Sequence, residues 1–333
     1  MNILIVVSSF REVDQAYIIN GFLNKGVKVD LVGVNSLTTR EYKVFGDVLE
    51  ITDKMDQPYG NPKGEVAHKS LETYDLIWVM NQPHHNIAQD VWQILWMLSK
   101  RVPFVNSVEG MLFLNNKNNL GAIVPKEHLI ENYAANSYDQ LWSIYEKKSK
   151  EKWVLKPTNA GCGEDVYTLF PNESNVKTIM QSMTGNAMSQ SIITKDVGLI
   201  GLQNKYCLIQ KYIPEVKELG DKRVILAGGK VICQYRRIMP ENDHRSHDFH
   251  GGSIAEYTLT SEEQSFCEML AKRLLDNGIS FVGIDMSYPY LLEFNIVNPG
   301  GVESVESVTG IDHTDEVIEA ILNACLNKSN SIL

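Results

Sequence analysis

Apolar runs of strand length alternate with amphipathic segments along the first third of the chain. Asn2–Val7 is an apolar, β-branched run, Glu12–Asn24 has helical periodicity ahead of Gly26, and Val27–Val34 is a second β-rich run. Strand, helix and strand at this spacing predict a βαβ unit with parallel strands. Two more strands and a helix are predicted further on, at Tyr74–Met80, Val102–Asn106 and Asn86–Ser99. The pattern predicts an open, parallel α/β domain over residues 1–115.

The middle of the chain has a weaker pattern, mixed and mostly helical between Leu112 and Lys152. Trp153–Lys156 is a short strand that ends in Lys-Pro, and a glycine-rich turn follows at Asn159–Glu164. Asn172–Asn204 is rich in Ser, Thr, Asn and Met, and we expect a mobile segment there. We predict that residues 116–205 form a second, smaller domain.

Residues 206–333 are predicted to form the third domain. Its predicted strands are Tyr206–Tyr212, Arg223–Ala227, Lys230–Arg237, Ser280–Met286 and Tyr290–Val297. The clearest helix is Thr260–Asn277, where Ser261 and Gln264 have the spacing of a capping box. The fold class predicted for the whole chain is therefore α/β with an α+β C-terminal part.

Composition removes several classes of function. The net charge of −10 over 333 residues argues against nucleic acid or an anionic membrane as the main partner. Five scattered cysteines without a C-x-x-C pair indicate reduced thiols. The run Met1–Val7 has no basic segment before it, so it is interpreted as a strand, and no apolar stretch approaches the length of a membrane span. These features predict a cytoplasmic protein.

Known nucleotide motifs are missing from the sequence. Ser8–Val13, the turn after the first strand, contains no glycine, so the dinucleotide fingerprint is absent. The P-loop spacing and the G-x-S-x-G elbow are absent as well. The sequence therefore does not favour an NAD-binding domain or a P-loop enzyme.

Two carboxylates and an amide share one face of the last predicted hairpin. Because strand side chains alternate, Asp285 lies on the face that Glu293 and Asn295 share on the next strand. Neighbouring carboxylates repel unless a cation lies between them, and an all-oxygen set suits Mg²⁺. The alternative is a solvated strand face.

Basic residues and small residues provide candidate phosphate ligands. Lys156 directly precedes Pro157 and the Thr-Asn-Ala-Gly-Cys-Gly turn, where Gly161 and Gly163 would let backbone N–H groups approach phosphate oxygens. The alternative is a plain hairpin turn. Three further cations lie in the half of the chain that holds the carboxylates, namely Arg223, Arg237 and Arg245, and they would suit a bound polyanion. The alternative is that they pair with surface acids.

The ordered motifs from Gln210 to about Asn298 resemble the bacterial glutathione synthetase family of the ATP-grasp superfamily. They are Gln-Lys-Tyr-Ile-Pro, Gly-Asp-Lys-Arg-Val, Arg-Ile-Met-Pro, His-Gly-Gly, Phe-Val-Gly-Ile-Asp and Leu-Leu-Glu-Phe-Asn. Lys117 and Lys156-Pro157 look like the two ATP lysines of that family. The resemblance implies an ATP-grasp fold preceded by a pre-ATP-grasp domain, and an enzyme that is an ADP-forming carbon–nitrogen ligase.

The same resemblance implies roles for individual residues. Lys117 and Lys156 would hold the α- and β-phosphates under the loop of Gly161 and Gly163. Adenine would face the backbone of a hinge, and Asp221 would lie near the ribose. Magnesium, or manganese as an alternative, would be held by Asp285, Glu293 and Asn295, while arginines would stabilise the phosphoryl group and the tetrahedral intermediate. The hinge residues are Gln210, Lys211, Tyr212 and Ile213, and the arginines are Arg223, Arg237 and Arg245.

Departures from the family concern the substrate side. Asn81-Gln82-Pro83-His84-His85 replaces the family's Arg/Lys-Asp-Pro-Pro segment, and Pro-Gly-Gly-Val-Glu-Ser after Asn298 lacks an expected basic residue. We therefore expect small-molecule or peptide carboxylate and amine substrates, but not γ-glutamylcysteine, with His84 or His85 as contacts. The competing hypotheses are a small-molecule kinase and a nucleotide-binding module without ligase activity. A homo-oligomer is expected from the family. His244, His247 and His250 favour a solvated or substrate-facing loop over a zinc site.

Overall fold

A mixed seven-stranded sheet forms the N-terminal part of the computed structural model, which describes residues 1–8, 13–55, 62–161, 163–185, 205–241 and 251–329. Its strand order is β3-β4-β2-β1-β6-β7, and β5 pairs with β4. The strands are β1 (Asn2–Val7), β2 (Lys28–Gly33), β3 (Thr38–Arg40), β4 (Lys43–Ile51), β5 (Gly64–Ser70), β6 (Leu76–Val79) and β7 (Phe104–Val105), and the helices are α1 (Val13–Asn24), α2 (Ala88–Ser99) and α3 (Val108–Leu114).

The predicted parallel sheet is confirmed only for part of these strands. β1 pairs in parallel with β2 and β6, and β6 with β7, whereas β2, β3 and β5 all pair with β4 antiparallel. The sequence analysis missed β3, β4 and β5. Their burial alternates or is low throughout, as in an edge with one face toward water, so they lack the continuous apolar runs that mark the parallel strands.

A four-stranded antiparallel sheet follows, in the order β10-β9-β11-β8. Its elements are β8 (Asn132–Ala135), α4 (Tyr138–Lys147), β9 (Trp153–Pro157), β10 (Tyr167–Leu169), α5 (Val176–Thr184) and β11 (Cys207–Lys211). β11 pairs with both β8 and β9, although the predicted boundary at residue 205 assigned it to the third domain. The division into three domains stays a prediction.

Helix α5 corrects the expectation of a mobile segment over residues 172–204. Val176, Met180 and Met183 are buried at helical spacing, and Gly185 ends the helix in the left-handed conformation with φ 71°. The Ser, Thr and Asn content masked this periodicity. Residues 186–204 lie outside the described residues.

A five-stranded antiparallel sheet forms the C-terminal part, in the order β14-β13-β12-β15-β16. Its elements are α6 (Pro214–Leu219), β12 (Asp221–Ala227), β13 (Lys230–Ile238), β14 (Ser253–Glu256), α7 (Ser261–Asp276), β15 (Phe281–Ser287), β16 (Tyr290–Asn295), α8 (Val302–Thr309) and α9 (Thr314–Ser329). The capping box of α7 uses Thr260 and Glu263, so the predicted pair of Ser261 and Gln264 was wrong by one residue. Both pairs have the right spacing, and only the backbone turn selects one.

Apolar packing joins the first sheet to the third. Leu4 and Val79 share a buried cluster with Ile284 and Leu270, while Phe281 packs edge-on against Trp78 at 5.3 Å in a second cluster. The middle sheet packs with α4 and α5 around a cluster of its own that includes Trp153. The first and third sheets thus share their cores. Within the described residues, no helix is both long and apolar enough to cross a membrane.

Candidate active site

Asp285 on β15 lies between two arginines from neighbouring strands. Arg223 on β12 donates Nε to Oδ1 of Asp285 and Nη2 to Oδ2 at 3.1 Å, and Arg237 on β13 lies 2.8 Å from Oδ2. The Asp285 side chain is 1% exposed. Burial alone would raise the pKa of Asp285, but the two guanidinium groups hold it well below its usual range. Asp285 is therefore an ionised carboxylate in a dry site.

The arginines are held at their other atoms as well. Arg223 donates Nη1 to the carbonyl of Pro299, and Arg237 donates Nε to Oδ2 of Asp221 at 2.8 Å. Burial acts to lower the pKa of Arg237, but Asp221 and Asp285 outweigh it, so the pKa is raised well above its ordinary value. Asp221 was predicted to lie near a ribose. Its Oδ2 instead holds Arg237, while its Oδ1 is buried without a partner among the described residues.

Glu293 and Asn295 on β16 face Asp285, as the alternation rule predicts. The register pairs Asp285 with Glu293 and Gly283 with Asn295, and Asn295 donates Nδ2 to Oδ2 of Asp285 at 3.1 Å. Lys117 lies 3.1 Å from Oε2 of Glu293 and also donates to the carbonyl of Ala160. The side chain of Lys117 thus connects the glycine-rich turn after β9 with the carboxylate of Glu293 on β16.

Lys156 on β9 is the second predicted lysine, and it is only 8% exposed. Burial lowers its pKa to about 8, against the attraction of Glu293 and Asp285 and with a further decrease from the nearby charge of Lys117. These mutual effects place both lysines and both carboxylates in one electrostatic neighbourhood. Both lysines are far from the two carboxylates in the sequence, and the structure brings them together.

The structure describes the glycine turn except at Cys162, and it describes the whole hinge. Gly163 has φ 69°, which favours glycine, while no heavy atom lies within 4 Å of a Cβ built on Gly161. In the hinge, Gln210 is buried, and Lys211 and Tyr212 donate their backbone N–H groups to the carbonyls of Glu131 and Lys152. Ile213 precedes the short helix α6. The hinge is thus anchored to the middle sheet.

Several predicted residues lie elsewhere or outside the described residues. Arg245, Cys162 and the histidines His244, His247 and His250 are among the undescribed ones. His84 and His85 are exposed and contact each other with ring centroids 4.1 Å apart. Asn81 in the same segment is buried, and its Oδ1 accepts hydrogen bonds from Nε2 of Gln15 and the N–H of Ser8.

The described cysteines are all free thiols, namely Cys207, Cys233, Cys267 and Cys325. Burial raises the pKa of Cys207 to about 11 and the pKa of Cys233 and Cys267 to about 12. These three side chains remain protonated at neutral pH, which suits packing and not nucleophilic catalysis.

Asn106 is a residue that sequence reasoning missed. Its Oδ1 accepts the N–H groups of Ser280 and Phe281, each at 2.7 Å, and its Nδ2 donates to the carbonyls of Phe281 and Ile296 at 2.6 and 3.0 Å. One buried amide therefore ties the strand that carries Asp285 to the strand that carries Glu293 and Asn295. A polar residue inside the apolar segment 102–108 was the available signal.

Asp14 is the second missed residue. In the first turn of α1, its carboxylate accepts hydrogen bonds from the backbone N–H groups of Val302 and Glu303, which begin α8. Burial raises the pKa of Asp14, opposed by these bonds and by the charge of Arg223. The contact spans almost the whole chain, so no local pattern signals it.

The donor set fits a hard cation that also binds phosphate oxygens. The ligand atoms of Asp285, Glu293 and Asn295 would all be oxygens, with Nδ2 of Asn295 donating to Asp285, and the Glu293 side chain is 22% exposed. Among the described residues, no three His, Cys, Asp or Glu side chains form a cluster that could hold an ion. Two carboxylates and one amide are the protein share that Mg²⁺ uses when phosphates and waters complete its octahedron.

Comparison with known proteins agrees with this arrangement. The family model of the prokaryotic glutathione synthetase ATP-grasp domain matches residues 126–310, which is more than half of the chain. Glutathione synthetase of Synechococcus elongatus is 27% identical over 270 residues, covering 78% of this chain and 76% of the relative.

Solved structures show the same fold at low identity. D-cycloserine synthetase DcsG has a TM-score of 0.64 at 10% identity, covering 96% of this chain and 98% of the other. The ATP-grasp ligase PsnB, in complex with a minimal precursor, Mg and ADP, has a TM-score of 0.59 at 13% identity, covering 97% and 98%. At these identities the likeness shows the ATP-grasp fold and does not specify a substrate.

Proposed function

Because the chain belongs to the prokaryotic glutathione synthetase ATP-grasp family, we propose that it is an ADP-forming ligase that joins a carboxylate to an amine. The observation that carries this proposal is the bridge formed by Lys117. Its ammonium group contacts both Ala160, beside the glycine turn, and Glu293, on the carboxylate face of β16. A triphosphate between the middle and third sheets would meet lysines on one side and an ion-binding face on the other.

The reaction divides into two steps that these residues can support. The substrate carboxylate attacks the γ-phosphorus of ATP, which gives an acyl phosphate and releases ADP. The amine then adds to the acyl carbon, and the tetrahedral intermediate expels phosphate. Arg223 and Arg237, fixed by Asp285 and Asp221, neutralise the transferred phosphoryl group and the developing oxyanion. Neither step needs a protein nucleophile, and positioning and charge stabilisation carry the catalysis.

The nucleotide contacts follow from the same geometry. Lys117 and Lys156 bind the α- and β-phosphates, and the turn of Gly161 and Gly163 covers them. The hinge Gln210–Ile213 faces adenine, with the Ile213 N–H as the donor, because Lys211 and Tyr212 already donate to carbonyls of the middle sheet. Asp221 acts mainly by positioning Arg237. Its unpaired Oδ1 is the atom that could reach a ribose hydroxyl.

Asp285, Glu293 and Asn295 are the proposed ligands for Mg²⁺, with Mn²⁺ as an alternative ion. The bound ion supplies charge neutralisation to the phosphates. Glu293→Gln should lower turnover by about 100-fold or more while the free energy of unfolding changes by less than about 1 kcal/mol, since the side chain is 22% exposed and the amide keeps an oxygen that can accept from Lys117. Steady-state rates across a magnesium titration measure this effect. An unchanged rate and unchanged magnesium dependence would refute the assignment.

The decisive experiment for the ligase proposal is a screen with purified protein, ATP and Mg²⁺. Acids and amines are supplied singly and in pairs, and ADP release is measured. We expect release that requires both partners. A phosphorylated product formed without an amine would indicate a kinase, and tight ATP binding without turnover would indicate a binding module.

The substrate prediction is narrower than the family's activity. γ-Glutamylcysteine carries a second carboxylate that a closed site must pair with a cation. Asn81 offers an uncharged amide and His84 and His85 offer imidazoles, while Glu303 adds negative charge after the glycine loop. Glutathione formation from γ-glutamylcysteine and glycine at a higher rate than from other pairs would refute this prediction. The homo-oligomer, the cytoplasmic location and the three-domain division stay predictions.

A further inference from the structure

The carboxylate of Asp14 has one oxygen in use and one without a partner. The backbone N–H groups of Val302 and Glu303 donate to this carboxylate at the start of α8. A Cβ on Gly300 would lie 3.2 Å from Oδ2, so the glycine loop passes close to this oxygen. Oδ1 is buried and has no hydrogen-bond partner among the described residues.

The unpaired oxygen is unfavourable for the free protein. A buried carboxylate is stable only when its acceptor sites are filled or a counter-charge lies close. The adjacent Gln15 repeats the pattern, since it is fully buried, donates Nε2 to Asn81 at 2.8 Å, and leaves Oε1 without a partner within the described ranges. Two acceptors at the carboxyl end of β1 therefore lack donors.

The surroundings favour a cationic donor over a neutral one. Glu303 begins α8, and Glu306 on the same helix accepts a hydrogen bond of 2.5 Å from the hydroxyl of Tyr17. Arg223 is near enough for its charge to act on Asp14, but its guanidinium is already bonded to Asp285 and Pro299. The recess formed by Asp14, Gln15 and the start of α8 thus has Glu303 and Glu306 beside Asp14, while the guanidinium of Arg223 is already engaged.

We propose that Oδ1 of Asp14 binds the protonated amino group of a substrate. This inference rests on the ligase function proposed above and defines the substrate as an amino acid or peptide with a free ammonium group. The loop from Pro299 to Gly301 contacts both Asp14 and Arg223. A substrate held here by its ammonium group directs its carboxylate toward the reaction centre, which consists of Asp285, Arg223 and Arg237.

The same contact acts against a spare carboxylate. The N-terminus of a helix is a favourable place for an anion, and here Asp14 already fills it by accepting from Val302 and Glu303. A second anion at this place would find the donors in use and the carboxylate of Asp14 beside it. Asp14 is therefore a residue that determines specificity for ammonium over carboxylate.

The test compares free amino acids and dipeptides with their N-acetyl derivatives, which lose the positive charge and keep the carboxylate. Binding is measured by thermal shift in the presence of ADP and Mg²⁺, and turnover by ADP release. The wild-type protein should bind and use free ligands, with KM values about 10- to 100-fold lower than those of the acetylated forms, as expected for a charge-assisted hydrogen bond.

Asp14→Asn keeps a carbonyl oxygen for the N–H groups of α8 and removes the charge. We expect it to raise KM for the free ligands by the same factor, to change kcat much less, and to lose discrimination against acetylated ligands. Asp315→Asn is the matched control, because Asp315 is a 68% exposed carboxylate on α9 that pairs with Lys25, and it should behave as the wild type.

Equal KM values for free and acetylated ligands in the wild-type protein would overturn the proposal. An Asp14→Asn variant that keeps the wild-type ratio of these KM values would overturn it as well. If Asp14→Asn does not fold, the ratio of KM values for free and acetylated ligands in the wild-type protein decides the test by itself. If no pair gives ADP release, the ligase proposal fails, whereas thermal shifts by free but not acetylated ligands would still support the ammonium site. ADP release with equal KM values for free and acetylated ligands would support the ligase proposal and refute the ammonium site.

Discussion

The reaction centre on the third sheet and the recess beside α1 differ in how their charges are satisfied. At the centre, both oxygens of Asp285 accept bonds from arginines, and each arginine has a further acceptor. In the recess, Asp14 and Gln15 each leave a buried acceptor without a described partner. Asp285, Arg223 and Arg237 are thus paired with one another before any ligand arrives, although Oδ1 of Asp221 has no described partner. In the recess, the proposed ligand would supply the missing donor to Asp14.

The difference indicates a division of labour. A network whose members satisfy one another is rigid and preorganised, which suits the stabilisation of charge in a transition state. Unpaired acceptors cost stability in the free protein and favour whichever ligand supplies the missing donor. We infer that the centre serves the chemistry common to the family and that the recess serves the choice of substrate.

The strongest way to break the completed network is Asp285→Asn. The amide leaves Arg223 and Arg237 buried without their shared counter-charge, so the free energy of unfolding should fall by about 3–5 kcal/mol and activity should be lost. Urea denaturation of the nucleotide-free protein measures the change. Asp315→Asn at an exposed pair should alter it by no more than about 1 kcal/mol. A loss below about 1 kcal/mol at Asp285 would mean that the network is not closed.

Lys156→Met should have the opposite effect on stability. The folded-state pKa of about 8 lies below the ordinary lysine value, so at pH 7 the folded protein holds a buried charge at a cost on the order of 3 kcal/mol. Between about pH 8 and 10.5 the unfolded chain binds more protons, and stability attributable to Lys156 rises with pH.

The Lys156→Met variant should therefore be more stable than the wild type at pH 7, and its stability should not rise between about pH 8 and 10.5. It should also lose ATP turnover. Thermal unfolding as a function of pH tests this expectation. Lys272→Met on the exposed side of α7 should show neither change. A less stable Met variant would show that Lys156 is paired in the nucleotide-free protein.

Asn106→Ala tests a completed network without charge. The substitution leaves buried N–H and carbonyl groups of Ser280, Phe281 and Ile296 without partners, and we expect a loss of about 2–3 kcal/mol. The magnesium concentration for half-maximal rate should rise, because the two carboxylate strands lose a common anchor. Asn277→Ala, at an exposed amide on the end of α7, is the control. Stability loss with unchanged magnesium dependence would limit Asn106 to a structural role.

Thr260→Ala gives the smallest expected effect and concerns a local network, in which Thr260 is exposed and Glu263 is buried. Loss of the N-cap of α7 should cost about 1 kcal/mol without any change in KM. Ser261→Ala should change stability by less than about 0.5 kcal/mol, since Ser261 lies inside the helix and does not cap it. Equal losses in the two variants would contradict the assigned capping box.

The sequence predicted well where neighbours along the chain determine the structure. Strand alternation placed Asp285, Glu293 and Asn295 on one face, and the β15–β16 register agrees. Apolar runs located β1, β2, β6 and β9 within two residues at each end. Half-exposed β4 and β5 and the polar helix α5 escaped because their periodicity is diluted by polar side chains.

What the sequence alone determined is therefore the list of candidate groups, since motif order and alternation are local properties of the chain. Only the tertiary structure decided their partners. Asp285 meets an arginine 62 residues away, and Asn106 reaches strands more than 170 residues later. Asp14 caps a helix near the other end of the chain. A buried charge or amide pairs with whichever group the packing of the sheets brings within hydrogen-bond distance. The spacing of residues along the sequence does not predict which group that is.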